Sequence, residues 1–198
     1  MTRTTQQIIR DSTLRSAQLK KKPFGCVLAM DESYTRTGLA VVQEGVVIWL
    51  GALEFGTKPL SKRRKRAFLA EAVRALLTKF PAIEAIIMER ARTHKLFDVA
   101  IALSELVAAV IDAVPEIDDV PICKVYSIDT RHARSATIGK PAAPKRDIVI
   151  WVRELILAQP THDLKRYNDL KQLKEDEAEA VVFGLAALKA GAKLKLEL

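Results

Sequence analysis

The stretch Phe24-Gly25-Cys26-Val27-Leu28-Ala29-Met30-Asp31-Glu32-Ser33 sets the reading of the whole chain. Phe24 to Met30 is an apolar run of strand length, bounded by turn residues, and predicts a buried strand. The polar segment from Asp31 to Thr37, closed by Gly38, follows at once and marks a turn. An acid placed directly after such a strand, as Asp31 is, sits at the end of a sheet where backbone and core hold it still.

Outward from this strand, Leu39 to Gln43 and Val46 to Leu53 are β-rich runs separated by Glu44-Gly45, a two-residue hairpin connection. The chain therefore begins with a meander of strands. From Leu60 to Phe80 the spacing becomes helical through Phe68, Leu69, Ala72, Val73, Leu76 and Leu77, and the helix stops before Pro81. Ala85 to Met88 reads as a short strand that delivers Glu89 at its end. Lys95 to Val114 reads as a helix, Ile122 to Ile128 as a strand, and Arg146 to Ala158 and Glu175 to Ala190 as helices. The order β-β-β-α-β-α-β-α-α predicts an α/β fold with a five-stranded mixed sheet flanked by helices. Pro115 to Pro121, Thr130 to Lys145 and Gln159 to Lys171 are the least regular stretches.

A length of 198 residues fits one domain, taken as residues 23–198. Residues 1–22 form a basic extension with Asp11 as its only acid. It suits a DNA-contacting arm or a surface segment ahead of an organelle transit peptide.

Glu89 follows its strand as Asp31 follows the first, and Asp176 and Glu179 stand three apart at a helix start, on one face. Four carboxylates can therefore converge. Such a cluster holds two divalent cations about 3.5–4 Å apart, which activate a water and stabilise the leaving oxygen in phosphodiester hydrolysis. Hard Mg²⁺, with Mn²⁺ as a substitute, prefers these oxygen ligands. Taken singly, each acid also fits a solvated turn residue or a partner of a helix dipole.

The surroundings of these acids resemble the RuvC family of Holliday junction resolvases. Val27-Leu28-Ala29-Met30-Asp31-Glu32-Ser33 followed by Thr37-Gly38-Leu39-Ala40 is similar to that family's first strand and its entry to the second. Ile86-Ile87-Met88-Glu89 resembles its second acidic motif, and Lys174-Glu175-Asp176-Glu177-Ala178-Glu179-Ala180 its last. Arg134, Gly139 and Lys145 stand before an apolar helix as basic residues and glycine do in the family's DNA-facing loop. The resemblance spans roughly residues 24–190, each motif being short. It implies an RNase H-like fold and a homodimer whose paired sites nick two strands of a four-way junction. Three positions depart from the family: Glu179 where Asp or His is usual, Arg92 where an aromatic wedge is frequent, and Pro141 where a second glycine occurs.

The net charge of +8 and a pI of about 9.6 favour a polyanionic partner, and equally fit a role in solubility. Arg92, Lys95, Arg134, Lys140, Lys145 and Arg146 are the candidate DNA contacts, and Lys62 to Arg66 adds charge as a DNA-side run or a solvated helix start. His94, His132 and His162 have no zinc or triad spacing, and Trp49 and Trp151 read as core. Cys26 and Cys123, isolated in apolar stretches, suit a reducing, cytoplasmic setting, where the resemblance implies association with the nucleoid, and no run is apolar enough to span a membrane. The helix Lys95 to Val114 has two apolar flanks, through Leu96, Val99, Ala100, Leu103, Leu106, Val107 and Val110. They fit either a dimer interface or burial within one chain. Two other functions are compatible with parts of this pattern. One is a noncatalytic branched-DNA-binding protein; the other is an actin-like phosphotransferase, for which the chain is short and lacks a second phosphate loop.

Overall fold

A computed structural model describes residues 24–32, 35–55, 62–90, 97–117, 120–159, 172–189 and 193–197. Its strands are β1 (Cys26–Glu32), β2 (Arg36–Gln43), β3 (Val46–Glu54), β4 (Ala85–Glu89), β5 (Glu116–Ile117), β6 (Val120–Pro121), β7 (Lys124–Ile128) and β8 (Leu194–Leu196). Its helices are α1 (Lys62–Lys79), α2 (Phe97–Ile111), α3 (Thr130–Ile138), α4 (Lys145–Ala158) and α5 (Glu175–Ala187). The proposed N-terminal arm lies outside the described residues. No helix among those described is long and apolar enough to cross a membrane.

The main sheet has six strands in the order β3-β2-β1-β4-β7-β8, not the expected five. β1 pairs antiparallel with β2 and parallel with β4, β4 runs parallel to β7, and β8 closes the far edge antiparallel to β7. The extra strand comes from Leu194-Lys195-Leu196, an alternating run too short to stand out beyond the last helix. A separate small hairpin, β5 with β6, occupies part of the Pro115–Pro121 stretch. The Glu44-Gly45 connection is a turn with both residues at positive φ, 50° and 84°, the geometry that matches the twist of a tight hairpin.

Helix α3 falls in a stretch expected to be irregular. Only Thr130 and Ala133 of it are buried, and its nine residues are mostly polar, so it carries little apolar signal. Its caps nevertheless have a local signature: Asp129 accepts the backbone N–H of His132 at 3.0 Å, and Gly139 ends the helix at φ 78°.

Alternation along β1 divides the core into two layers. Cys26, Leu28 and Met30 face Leu69, Val73, Leu76 and Leu77 of α1 and Val110 of α2. Val27 and Ala29 face the other layer with Val181, Val182 and Phe183 of α5 and Ile148 and Val152 of α4. Trp49 and Trp151 are half-buried and pack against these two layers.

Helix α5 lies unusually close to β1 and β2. A Cβ built on Gly38 would stand 2.2 Å from the backbone carbonyl carbon and oxygen of Asp176, and one on Gly184 would stand 2.7 Å from a Val42 methyl. Gly38→Ala must therefore lift the first turn of α5, because backbone cannot rotate away. Gly184→Ala meets only side-chain carbons. Denaturant unfolding should show Gly38→Ala destabilised by about 1–3 kcal/mol or more, and Gly184→Ala by less.

Candidate active site

The close seating of α5 brings the acids together. Asp31 continues the face of Val27 and Ala29, and Glu89 continues that of Ala85 and Ile87, so both side chains fall on the α5 side of the sheet. The last paired residues of β1 and β4 are Met30 and Met88, one position before the two acids. Asp31 is paired across the β1–β2 ladder with Gly38, the residue on which Asp176 rests.

The acids at the start of α5 have different partners. Asp176 is half-buried and faces the Asp31 side, where its charge is felt. Glu177 turns the other way: its Oε1 pairs with Arg36 Nη2 at 3.0 Å and its Oε2 accepts the Lys174 backbone N–H at 3.0 Å. Glu175 stays exposed and pairs with Lys145 Nζ at 3.2 Å. Glu179 is buried and ion-paired with Arg134. Lys174 and Arg36 also flank Glu54, at 2.9 and 3.6 Å, which ties the entry of α5 to the end of β3.

Burial, reinforced by the crowding of like charges, sets the electrostatics. Asp31 is 7% exposed, and burial, followed by the charges of Glu89, Glu179 and Asp176, pushes its pKa up to about 8; only Lys145 acts against this. Burial also raises the pKa of Asp176, against the pull of Lys145 and Arg36, and that of Glu179, against Arg134 and Lys145. For Lys145 itself, burial acts downward, but Glu175, Asp31 and Asp176 outweigh it and its pKa is raised.

Several residues of the site were not singled out in the sequence. The Thr130 hydroxyl donates to Glu89 Oε1 at 2.5 Å and fixes that carboxylate. Arg36, Glu177 and Gly38 seat α5, as described above. Glu32, next to Asp31 but on the opposite face of β1, is buried with Oε1 lacking a hydrogen-bond partner among the described residues. Burial first, then Asp31 and Glu89, hold its carboxyl well above the usual range. A helix-start threonine after a capping aspartate was the one available signal, at Thr130; the others depend on contacts between distant segments.

Candidate cationic residues divide into three groups. Lys145, at the start of α4, lies within electrostatic reach of Asp31 and Asp176. Arg134 is not directed at solvent as a DNA-facing residue would be, because its guanidinium is bound to Glu179 and donates to the Ala143 carbonyl at 3.1 Å. Lys140 and Arg146 are exposed. Arg92 and Lys95 lie outside the described residues, as do His94 and His162. Of the basic run, Arg63 and Arg64 are exposed, whereas Lys65 is buried with its Nζ 5.3 Å from the Phe55 ring centre.

Among the described residues no three acidic, cysteine or histidine side chains already form a closed metal-binding group. The donor chemistry nevertheless fits a hard divalent cation: Asp31, Glu89 and Asp176 offer oxygen ligands, and the burial and neighbouring charges that raise the pKa of Asp31 favour positive charge there. This raised pKa gives a signed stability effect. Because the folded pKa of Asp31 is raised above the unfolded value of 3.8, its contribution is most favourable below about pH 4 and is lost as pH rises toward about 8. In chelator, Asp31→Asn should therefore match wild type in thermal unfolding near pH 4 and exceed it at pH 8. Thr130→Val should leave this pH difference in place while weakening Mn²⁺ binding several-fold, on the order of the loss of one hydrogen bond to a charged group.

No protein-family model and no curated protein matches the chain. Solved structures do. Thermus thermophilus RuvC is 18% identical with a TM-score of 0.59, covering 86% of this chain and 99% of that one. The same protein in complex with a Holliday junction substrate gives 16% identity and a TM-score of 0.63, covering 86% and 98%. The yeast mitochondrial Holliday junction resolvase Ydc2 gives 15% identity and a TM-score of 0.58, covering 88% and 82%. The chain has the RNase H-like fold of the RuvC-type Holliday junction resolvases.

Proposed function

We propose that the protein is a metal-dependent endonuclease that cuts branched DNA, with the four-way Holliday junction as its leading substrate. The observation that carries this reading is the convergence of Asp31, Glu89, Asp176 and Glu179 at one end of the sheet, where burial first and then the charges of the other three push the pKa of Asp31 up to about 8. A cluster of this kind opposes folding unless its charge is used. The likeness of the fold to RuvC, one structure of which holds a Holliday junction substrate, supports the substrate class.

Asp31, Glu89 and Asp176 are the residues that would hold Mg²⁺, or Mn²⁺ in its place. Such a cation supplies polarisation of the scissile phosphate and a more acidic water. The chain supplies the rest. Thr130 keeps the Glu89 carboxylate in one orientation, and the Arg36–Glu177 pair and Gly38 keep Asp176 beside Asp31. Lys145 offsets part of the repulsion between the acids and an incoming phosphate, as its effect on Asp31 and Asp176 indicates. Lys140 and Arg146, exposed near the start of α4, together with Arg92 and Lys95, would contact the DNA backbone.

A homodimer pairing two such sites would cut both strands symmetrically. Helix α2 is the candidate interface: Val110 is in the core, while Leu106 and Val107 are only partly buried; Val99, Ala100 and Leu103 have side chains outside the described residues. The free, buried thiols of Cys26 and Cys123, both with pKa raised to about 11 by burial, agree with a reducing intracellular setting.

The decisive assay compares four-way junction, flap, linear duplex and RNA–DNA hybrid with Mg²⁺, with Mn²⁺ and with chelator. Wild type should cleave the junction only with metal. Asp31→Asn should lose at least about a thousandfold in rate while junction affinity stays within a few-fold. Absence of metal-dependent cleavage of any branched substrate would defeat the proposal, and retained junction binding would then leave a noncatalytic branched-DNA-binding protein.

A further inference from the structure

The Arg134–Glu179 pair bears on how many cations the site holds, a question that rests on the nuclease reading above. Arg134 is engaged through all three guanidinium nitrogens. Nη2 binds Glu179 Oε1, Nε reaches Glu179 Oε2 at 3.4 Å, and Nη1 donates to the Ala143 carbonyl at 3.1 Å. Glu179 is 2% exposed and the Arg134 side chain 16%, so solvent screens the pair little. A planar guanidinium that meets both oxygens of a carboxylate is the strongest type of side-chain ion pair, and separating a buried one leaves an uncompensated charge. The other acids differ. Among the described residues no ion pair reaches Asp31, Glu89 or Asp176, and Glu89 takes only the Thr130 hydroxyl.

We propose that Arg134 takes the place of a second divalent cation at Glu179, so that the DNA-free protein binds one cation, on Asp31, Glu89 and Asp176, and leaves Glu179 with the guanidinium. The charges agree with this count. One divalent cation and Arg134 supply three positive charges against the four carboxylates, and Lys145, paired with Glu175, adds its field at the rim. Arg134 is thus a positioning residue: it withholds Glu179 from the metal and keeps the last turn of the site neutral without an ion. The sequence pattern of four converging acids, read alone, implies two ions, because it carries no sign of which acid a distant arginine holds.

Calorimetric titration of the full-length protein with Mn²⁺ alone, without DNA, tests the proposal independently of cleavage. Wild type should bind one Mn²⁺, and Glu179→Gln should change that affinity by less than about twofold, since Glu179 is not a ligand. Arg134→Gln should bind a second Mn²⁺, or bind the first about tenfold more tightly, as expected when a charged hydrogen-bonded competitor is removed. Adding Glu179→Gln to Arg134→Gln should cancel that gain. Arg134→Lys keeps the charge but loses the two-pronged contact; it should give a smaller gain, and it serves as the test if Arg134→Gln does not fold. Two Mn²⁺ on wild type, one of them lost in Glu179→Gln, would overturn the proposal and leave the nuclease reading intact. So would unchanged Mn²⁺ binding in both Arg134 variants. No Mn²⁺ binding by wild type, together with no junction cleavage, would overturn both.

Discussion

The contact between α5 and the β1–β2 pair is the constraint on which the rest of this structure depends. Helices pack onto sheets at a distance set by the side chains between them, and here Gly38 removes the side chain at the critical point. Its neighbours in the ladder are small as well: Ala29 lies opposite Ala40, and Gly184 supplies the matching gap on the helix. The helix can therefore sit close, bury Val181, Val182 and Phe183 completely, and carry its first turn to the end of β1. The same short distance that completes the core brings the carboxylates within electrostatic reach of one another.

Close approach has an electrostatic cost, and the molecule distributes it unevenly. Asp31, the most enclosed of the facing acids without an ion-pair partner among the described residues, keeps a proton up to about pH 8. Glu179 is compensated by Arg134, Glu177 by Arg36, and Glu175 by Lys145. Three neighbouring acids on one helix are thus neutralised by three cations from β2, α3 and α4. The strongly charged start of α5 is held by these pairs in addition to its apolar face, whereas no ion pair reaches Asp31 among the described residues.

Helix α3 links the two halves of the site. Thr130 at its start orients Glu89, and Arg134 one turn later holds Glu179. A single capped helix of modest apolar character thereby holds one carboxylate from β4 and another from α5. Its placement explains why Arg134, in a position that reads as DNA-facing, is turned inward: the chain from Asp129 to Gly139 is coiled against α5 and not extended as a loop.

The sequence by itself determined β1 to β4, β7 and the helices α1, α2, α4 and α5 in their order, and the location of Asp31 and Glu89 at strand ends, because burial writes a local period of two or of three to four into the chain. It also placed Asp176 and Glu179 on a helix start. It did not determine α3, which is short and mostly polar, or the brief strands β5, β6 and β8, too short to show a period. Only the tertiary structure decided how Glu175, Asp176, Glu177 and Glu179 divide their roles. Successive residues of a helix turn about 100°, so four acids within one and a half turns point toward different neighbours. Which neighbour is Lys145, which Arg36, which Arg134 and which Asp31 depends on segments up to well over a hundred residues away in the chain, and no local pattern records that choice.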